Sequence, residues 1–356
     1  MRFKHMNAVC AVSAIAFAAC APTIEQRRAD ATKALAALSS SRFEEADDEA
    51  TRTLERDAGN PYAATVAAIS RYKKAMRDLV NDVITVFLGA AATGRFNERY
   101  IERSFTEAEA TFAEIDALLA VATSQPDMAI ELCPACLEID WNGNGEIDDF
   151  DARLLEVELD EREQELPQGD PRRRPTFRFD HGDFIWARAF LAFHRAALDL
   201  ALAYAWSDVA TGVIRDREMG EIRLRLVREG RVAEAKRRIL EGLDLSDGAR
   251  KAYLAETDDD REWLPNPKQK SHPLPMPVDA ALYETWEGVV GDAQKLVRGE
   301  EGLDVSEIAK LGDRDWKNPP SGFIDIGRLL DHPRDLAIDV DDELLDLIGN
   351  LGRPSI

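Results

Sequence analysis

The sequence predicts an all-α protein of stacked antiparallel helical hairpins carrying one inserted loop, and three observations predict it. Apolar residues recur at three- and four-residue spacing through most of the 356-residue chain, the period of a single helix face. Alternation of apolar and polar residues, the period of a strand, persists nowhere for long. Helix-ending residues punctuate the periodic stretches, as at Gly59, Asn60 and Pro61, at Pro175, at Pro265 and at Gly349.

The elements follow in order. Residues 24–57 are rich in Ala, Leu, Glu and Arg, and Phe43, Ala46, Ala50 and Leu54 share a face of a helix ended by Gly59. Residues 71–88 carry Met76, Leu79, Val80, Val83, Ile84 and Phe87 at helical spacing. Thr106 with Glu109 has the form of a capping box, which predicts a helix opening there and burying Phe112, Ile115 and Leu119. Residues 183–206 form the most apolar helix, interrupted by a narrow polar stripe of Arg188, Arg195 and Asp199. That stripe either pairs with acidic groups and solvent, the preferred reading, or lines a cavity. Three charges and His194 exclude this segment as a membrane span. The 166–175 stretch is an Arg/Pro/Gly loop. Residues 261–277 hold several prolines and read as a linker between a helical domain at 20–260 and a C-terminal helical segment at 278–356. Within that segment helices are expected over 278–297, near 324–330 and near 342–348.

The stretch with Phe43, Ala46, Ala50, Leu54, Asn60 and Pro61 resembles the second helix of a tetratricopeptide repeat. A partial match recurs at Gly230, Ala233, Ala235, Ile239 and Leu243. No regular tandem joins the two, so the resemblance implies hairpins of this type and no continuous repeat array.

The chain opens with Arg2 and Lys4, then a short run of small apolar residues from Ala8 to Ala19. A basic start, an apolar stretch and a small-residue cleavage site make a secretory signal peptide over residues 1–19. Ala18 and Ala19 before Cys20 resemble the bacterial lipobox. That resemblance implies cleavage before Cys20 and lipid on its sulfur and amine, anchoring an exported protein in the cell envelope; Ala21 resembles an address at the outer membrane, facing the periplasm. More than one acyl chain is what makes such an anchor stable. Phe17 stands where Leu is commoner, and ordinary signal-peptidase cleavage is the alternative.

Lys and Arg number 45 against 67 Asp and Glu, a net charge of −22. Such a surface repels nucleic acid and anionic headgroups, so nucleic-acid binding is excluded and the membrane is met through the lipid alone. Cys133 and Cys136 form an isolated Cys-Pro-Ala-Cys pair, which reads as a disulfide in an oxidising compartment. The alternative, a redox-active motif of thioredoxin type, wants a strand before it and a helix starting at it.

One segment carries metal chemistry. Residues 140–151 place Asp140, Asn142 and Asn144 at the first, third and fifth positions of a loop, Gly145 at the sixth, Asp148 at the ninth and Asp151 at the twelfth. Calcium seeks six to eight oxygens, and this spacing wraps oxygen donors around one ion, with Glu146 offering its backbone carbonyl. The segment matches the EF-hand loop, in which Ile147 would be an apolar plug. Asp151 replaces the usual Glu, and Pro134 weakens an incoming helix. Both features resemble the dockerin half-repeat, which implies an exiting helix over 149–159. Only one such loop is present, so the resemblance implies a structural Ca2+ site and not cellulosome assembly.

No zinc-binding His pair, Gly-x-Ser-x-Gly, phosphate loop or dinucleotide fingerprint occurs, so the chain is read as a non-enzyme. The expected function is a lipid-anchored, calcium-binding scaffold that engages a protein partner. The alternative is a small-molecule-binding helical lipoprotein associated with a transporter, with the 183–206 helix lining its cavity.

Overall fold

In the computed structural model, residues 22–140, 146–148, 151, 155–160, 164–207, 220–273, 278–304 and 322–340 are described. Among them the fold is mostly helical, in keeping with the all-α expectation. The helices are α1 (Ile24–Asp30), α2 (Thr32–Ser39), α3 (Phe43–Arg56), α4 (Pro61–Thr93), α5 (Glu98–Thr123), α6 (His181–Ala203), α7 (Glu229–Ala255), α8 (Ala280–Arg298) and α9 (Ile326–Asp331). Three antiparallel ribbons pair β1 (Ile130–Leu132) with β2 (Phe177–Phe179), β3 (Gly220–Leu224) with β6 (Leu336–Val340), and β4 (Leu303–Asp304) with β5 (Phe323–Ile324). These ribbons are too short for a strand period to stand out of the sequence.

Local chemistry sets the helix ends. Asn60 is fully buried: its Oδ1 accepts from the Ala63 N–H at 3.1 Å and its Nδ2 donates to the Arg27 carbonyl at 2.8 Å. One side chain therefore caps α4 and ties it to α1, with Pro61 already holding the φ a first turn needs. α3 ends at Arg56 with Asp57 as its cap, three residues before the Asn60 cap of α4. Gly59, expected to terminate the helix, instead donates its N–H to Asp57 Oδ1 at 3.1 Å within the turn. A second correction concerns Thr106. The helix opens at Glu98 with Asn97 as its cap, and the Thr106 hydroxyl bonds the Glu102 carbonyl at 2.7 Å inside it. Upstream apolar residues such as Ile101, buried against the core, extend the helix past the sequence's apparent start signal.

The main core joins α1–α6. Ala34, Ala37 and Leu38 of α2, Phe43, Ala46 and Ala50 of α3, and Val66 and Ala67 of α4 meet the Phe112, Ile115, Leu119 stripe of α5. Phe184, Leu191 and Leu198 carry the same core into α6. α8 adds a smaller cluster on α7, where Leu243 meets Val290 and Val297. α2 packs beside α3 and α6 beside α7, and α7 runs unbroken well beyond the 230–245 stretch. No described helix is long and apolar enough to cross a membrane.

α6 and α7 cross closely at Gly242, where an added Cβ would stand 2.7 Å from Phe193 Cε1. A side chain there would gain about 1 kcal/mol in helix propensity. Overpacking costs about 1–3 kcal/mol and outweighs it for a β-branched group. Gly242→Val is expected to lower the urea midpoint at unchanged slope; an unchanged or raised midpoint would show that the crossing has slack.

Candidate functional site

The 140–151 loop leaves the core through a fixed approach. Ile139 is buried in the main core, and the Glu138 N–H donates to Ser41 Oγ at 2.9 Å, tying the approach to the α2–α3 turn. Just upstream, the Cys133 and Cys136 sulfurs lie 1.99 Å apart, at disulfide distance, across a single turn of 3₁₀ helix. Asp140 stands near Lys73 of α4. Burial, helped by Arg77, lowers the Lys73 ammonium below its ordinary pKa, and Asp140 is among the acids opposing that shift.

At the far end of the loop, Asp148 and Asp151 engage each other reciprocally. The Asp148 N–H donates to Asp151 Oδ2 at 3.1 Å, and the Asp151 N–H donates to Asp148 Oδ1 at 3.3 Å. This is the geometry of a capping box, and it packs the Asp151 carboxylate to 5% exposure beside that of Asp148. Asn142 and Asn144 lie outside the described residues, as does Cys20. The described loop residues expected as donors (Asp140, Asp148, Asp151 and the Glu146 backbone) are all oxygen-bearing, the chemistry a hard cation wants, but Asp140, Asp148 and Asp151 do not converge within 4.8 Å of one another.

Two expectations around this loop are corrected. Ile147, expected as a buried apolar plug, is 49% exposed. The exiting helix does not reach Leu159: residues 156–158 are irregular, and Leu159 pairs with Glu165 in a β-bridge. The cause lies in the 171–174 turn. Glu156 receives both Arg173 and Arg174 at 2.8 Å, and the Val157 N–H donates to the Arg173 carbonyl at 2.9 Å, pulling the chain out of the helix.

The polar stripe of α6 pairs with charged groups, as the preferred reading expected, and forms an ionic spine between helices, with Arg188 also bordering a groove. Arg188 bonds Asp116 of α5 at 2.8 Å and Arg195 bonds Glu109 of α5 at 2.9 Å. Asp199 receives Arg231 and approaches Arg238 of α7, and Arg238 reaches on to Glu109 at 2.7 Å. A groove of ≈ 770 Å³ runs beside it, lined by His181, Ile185 and Arg188 of α6 and Arg237, Leu240 and Asp244 of α7. Both guanidinium groups in the groove are already paired, Arg188 with Asp116 and Arg237 with Glu234 and Glu241.

On another side of α6, Trp186 and Phe190 stack with centroids 5.5 Å apart and planes 10° apart. Both stay open to solvent, at 39% and 46% exposure. His194 continues the row, edge-on to Phe190 at 4.4 Å and near Tyr72 and Phe112. The positions are one helical turn apart, so α6 presents a continuous aromatic ridge.

A feature invisible to sequence reasoning sits at the start of α6. Asp180, Glu256 and Glu262 bring carboxylate oxygens within 4.8 Å of one another, and buried Asp183 lies beside them. That spacing would admit a cation, and no other group of three His, Cys, Asp or Glu among the described residues has it. In a chain so acidic, three carboxylates far apart in sequence carry no signal; only the Asp180–Asp183 capping box is local enough to read.

No protein-family model, no curated protein and no solved structure matches this chain. Its function therefore rests on the chemistry of its own residues.

Proposed function

We propose that the protein is an exported, lipid-anchored scaffold of the cell envelope that docks a partner protein on the aromatic ridge of α6, with one Ca2+ clipping the 140–151 loop. It acts by binding, not by catalysis. The observation that carries the reading is the solvent-open stack of Trp186 on Phe190. Large aromatics in a row, rigid and amphipathic, are the side chains that dominate protein–protein binding energy. Their support is stiff, because the other faces of α6 are locked to α5 and α7 by the ionic spine. The Cys20 lipid would hold this ridge near a membrane while the acidic surface keeps the body off anionic headgroups. Calcium suits the loop through its all-oxygen donor set and serves as a clip.

The small-molecule alternative draws less support, since both guanidinium groups of the groove beside α6 are already paired with carboxylates.

The test is site-specific photo-crosslinking in cells, with a benzoylphenylalanine at position 186 or 190 and a control at Arg237, on the opposite helix beside the groove. The expected result is one discrete adduct from positions 186 and 190, lost in the Phe190→Ala and Trp186→Ala backgrounds respectively and absent from position 237. Equal labelling at all three positions, or none, would overturn the docking assignment.

A further inference from the structure

We propose that the buried carboxyl cluster of Asp180, Asp183, Glu256 and Glu262 is a proton-held latch, which fastens the α7–α8 connection to the start of α6 and loosens as pH rises. The geometry requires a positive partner that the side chains do not supply. Asp180, Asp183 and Glu262 are all more than nine-tenths buried, and Glu256 Oε1 is buried without a hydrogen-bond partner. Among the described residues, Arg178 of β2 is the one guanidinium bonded into the group. It holds Asp180 at 2.7 Å and shares itself with Asp258 at 2.7 Å. The remaining contacts are neutral: the Tyr253 hydroxyl donates to Asp183 Oδ1 at 2.8 Å, the Asp180 N–H to Asp183 Oδ2 at 2.9 Å, and the Asp260 N–H to Glu262 Oε1 at 3.1 Å. Gln269 Nε2 reaches Glu256 Oε2 at 3.5 Å.

The titratable and charged groups facing the cluster come from five elements. Arg178 comes from the β2 strand, Asp180, His181 and Asp183 from the start of α6, Tyr253 and Glu256 from the end of α7, and Asp258 and Asp260 from the connection with Glu262, while Arg261 beside them turns away to Glu131. Tyr283 of α8 adds a hydroxyl that is spent on the Pro265 carbonyl at 3.0 Å. Like-charged carboxylates at this spacing in a dry site cannot all ionise, and shared protons are the cheapest neutralisation. Burial accordingly raises Asp183 and Glu262 to about 7, and burial with Asp180 beside it raises Glu256 far above the ordinary carboxylate range.

The consequence has a definite sign. Groups whose pKa is raised on folding make the folded protein hold more protons than the unfolded chain between about pH 4 and about pH 7 or higher. Their stabilisation is complete at acid pH and is lost as pH rises through the folded values. The latch is mechanical as well as electrostatic. Asn266, fully buried, donates to the Tyr253 and Glu256 carbonyls, and Trp263 packs edge-on to Phe177 at 4.8 Å, so the connection lies directly over the cluster.

The experiment follows Trp263 by 19F NMR in full-length protein labelled with fluorotryptophan, in EDTA from pH 5 to pH 9, with Trp263→Phe to assign the signal. The expected result is a Trp263 resonance that titrates above pH 6 and a melting temperature that falls by about 5 °C or more toward alkaline pH. In Glu256→Gln with Glu262→Gln, both pH dependences flatten. A Trp263 signal unchanged across the range, or the same titration in the double variant, overturns the latch. So does a shift produced at constant pH by adding Ca2+ to an Asp140→Ala background, which would make the cluster a cation site. Should the double variant fail to fold, the wild-type melting profile decides alone: stability rising with pH is incompatible with proton-held carboxyls.

Discussion

Asp199→Ala is expected to cost about 3–5 kcal/mol of folding stability, the cost of breaking a buried ion pair by removing one partner. Asp199 is 0% exposed, at the centre of the interface between α6 and α7. Its Oδ1 accepts from Arg231 Nη1 at 2.6 Å. Its Oδ2 lies 2.7 Å from Arg238 Nε in a contact that is coulombic only, since neither atom makes a hydrogen bond. Arg238 is itself 6% exposed, and its remaining carboxylate partners are Glu109 at 2.7 Å and Glu234 at 3.1 Å. Removing Asp199 takes the carboxylate from Arg231 and leaves Arg238 with Glu109 and Glu234, which are shared with Arg195 and Arg237, and this buried excess of positive charge, more than the lost bond, sets the magnitude. Asp199→Leu combined with Arg238→Met should recover most of the loss, because it deletes both charges and keeps the volume. Urea unfolding of the three variants reads the comparison. A single-mutant loss under about 1 kcal/mol would place the pair in effective contact with solvent and reduce it to a surface bridge.

The same residues show how far the sequence could be read. The polar stripe was legible because Arg188, Arg195 and Asp199 recur at helical spacing within one element. Its partners were not, because Glu109, Asp116, Arg231 and Arg238 sit on other helices, in a chain with many equivalent charges. Long helices were legible wherever one face carried the core, as with Phe112, Ile115 and Leu119. Their boundaries were less so, since Thr106 offers a start signal that packing of Ile101 overrides. The β3–β6 ribbon joins residues more than a hundred positions apart, and nothing local announces it. The buried carboxyl cluster failed to stand out for the opposite reason: its residue type is everywhere. Burial, which distinguishes Glu262 from dozens of other acids, is a property of tertiary packing and not of the sequence window around it.

Calcium should bind once per chain, and Asp140→Ala should abolish binding, in isothermal titration of chelator-stripped protein. In the proposed site Asp140 opens the loop and Asp151 closes it, so each would supply a ligand that no neighbour can replace at the spacing this ion needs. The two substitutions differ in a second respect. Asp151 also caps the helix start through Asp148, so Asp151→Ala should lose stability in EDTA as well as calcium binding, by about 1 kcal/mol for the cap. Asp140→Ala lacks that capping loss and should lose mainly the stabilisation that calcium adds. At the affinities usual for extracellular modules, about 10⁻⁴–10⁻³ M, about 10 mM calcium adds roughly 1.4–2.7 kcal/mol. A wild-type melting temperature insensitive to calcium would remove the clip and leave Asp148 and Asp151 as a capping box alone. Binding that survives Asp140→Ala but fails in Glu262→Gln would move the ion from the loop to the carboxyl cluster.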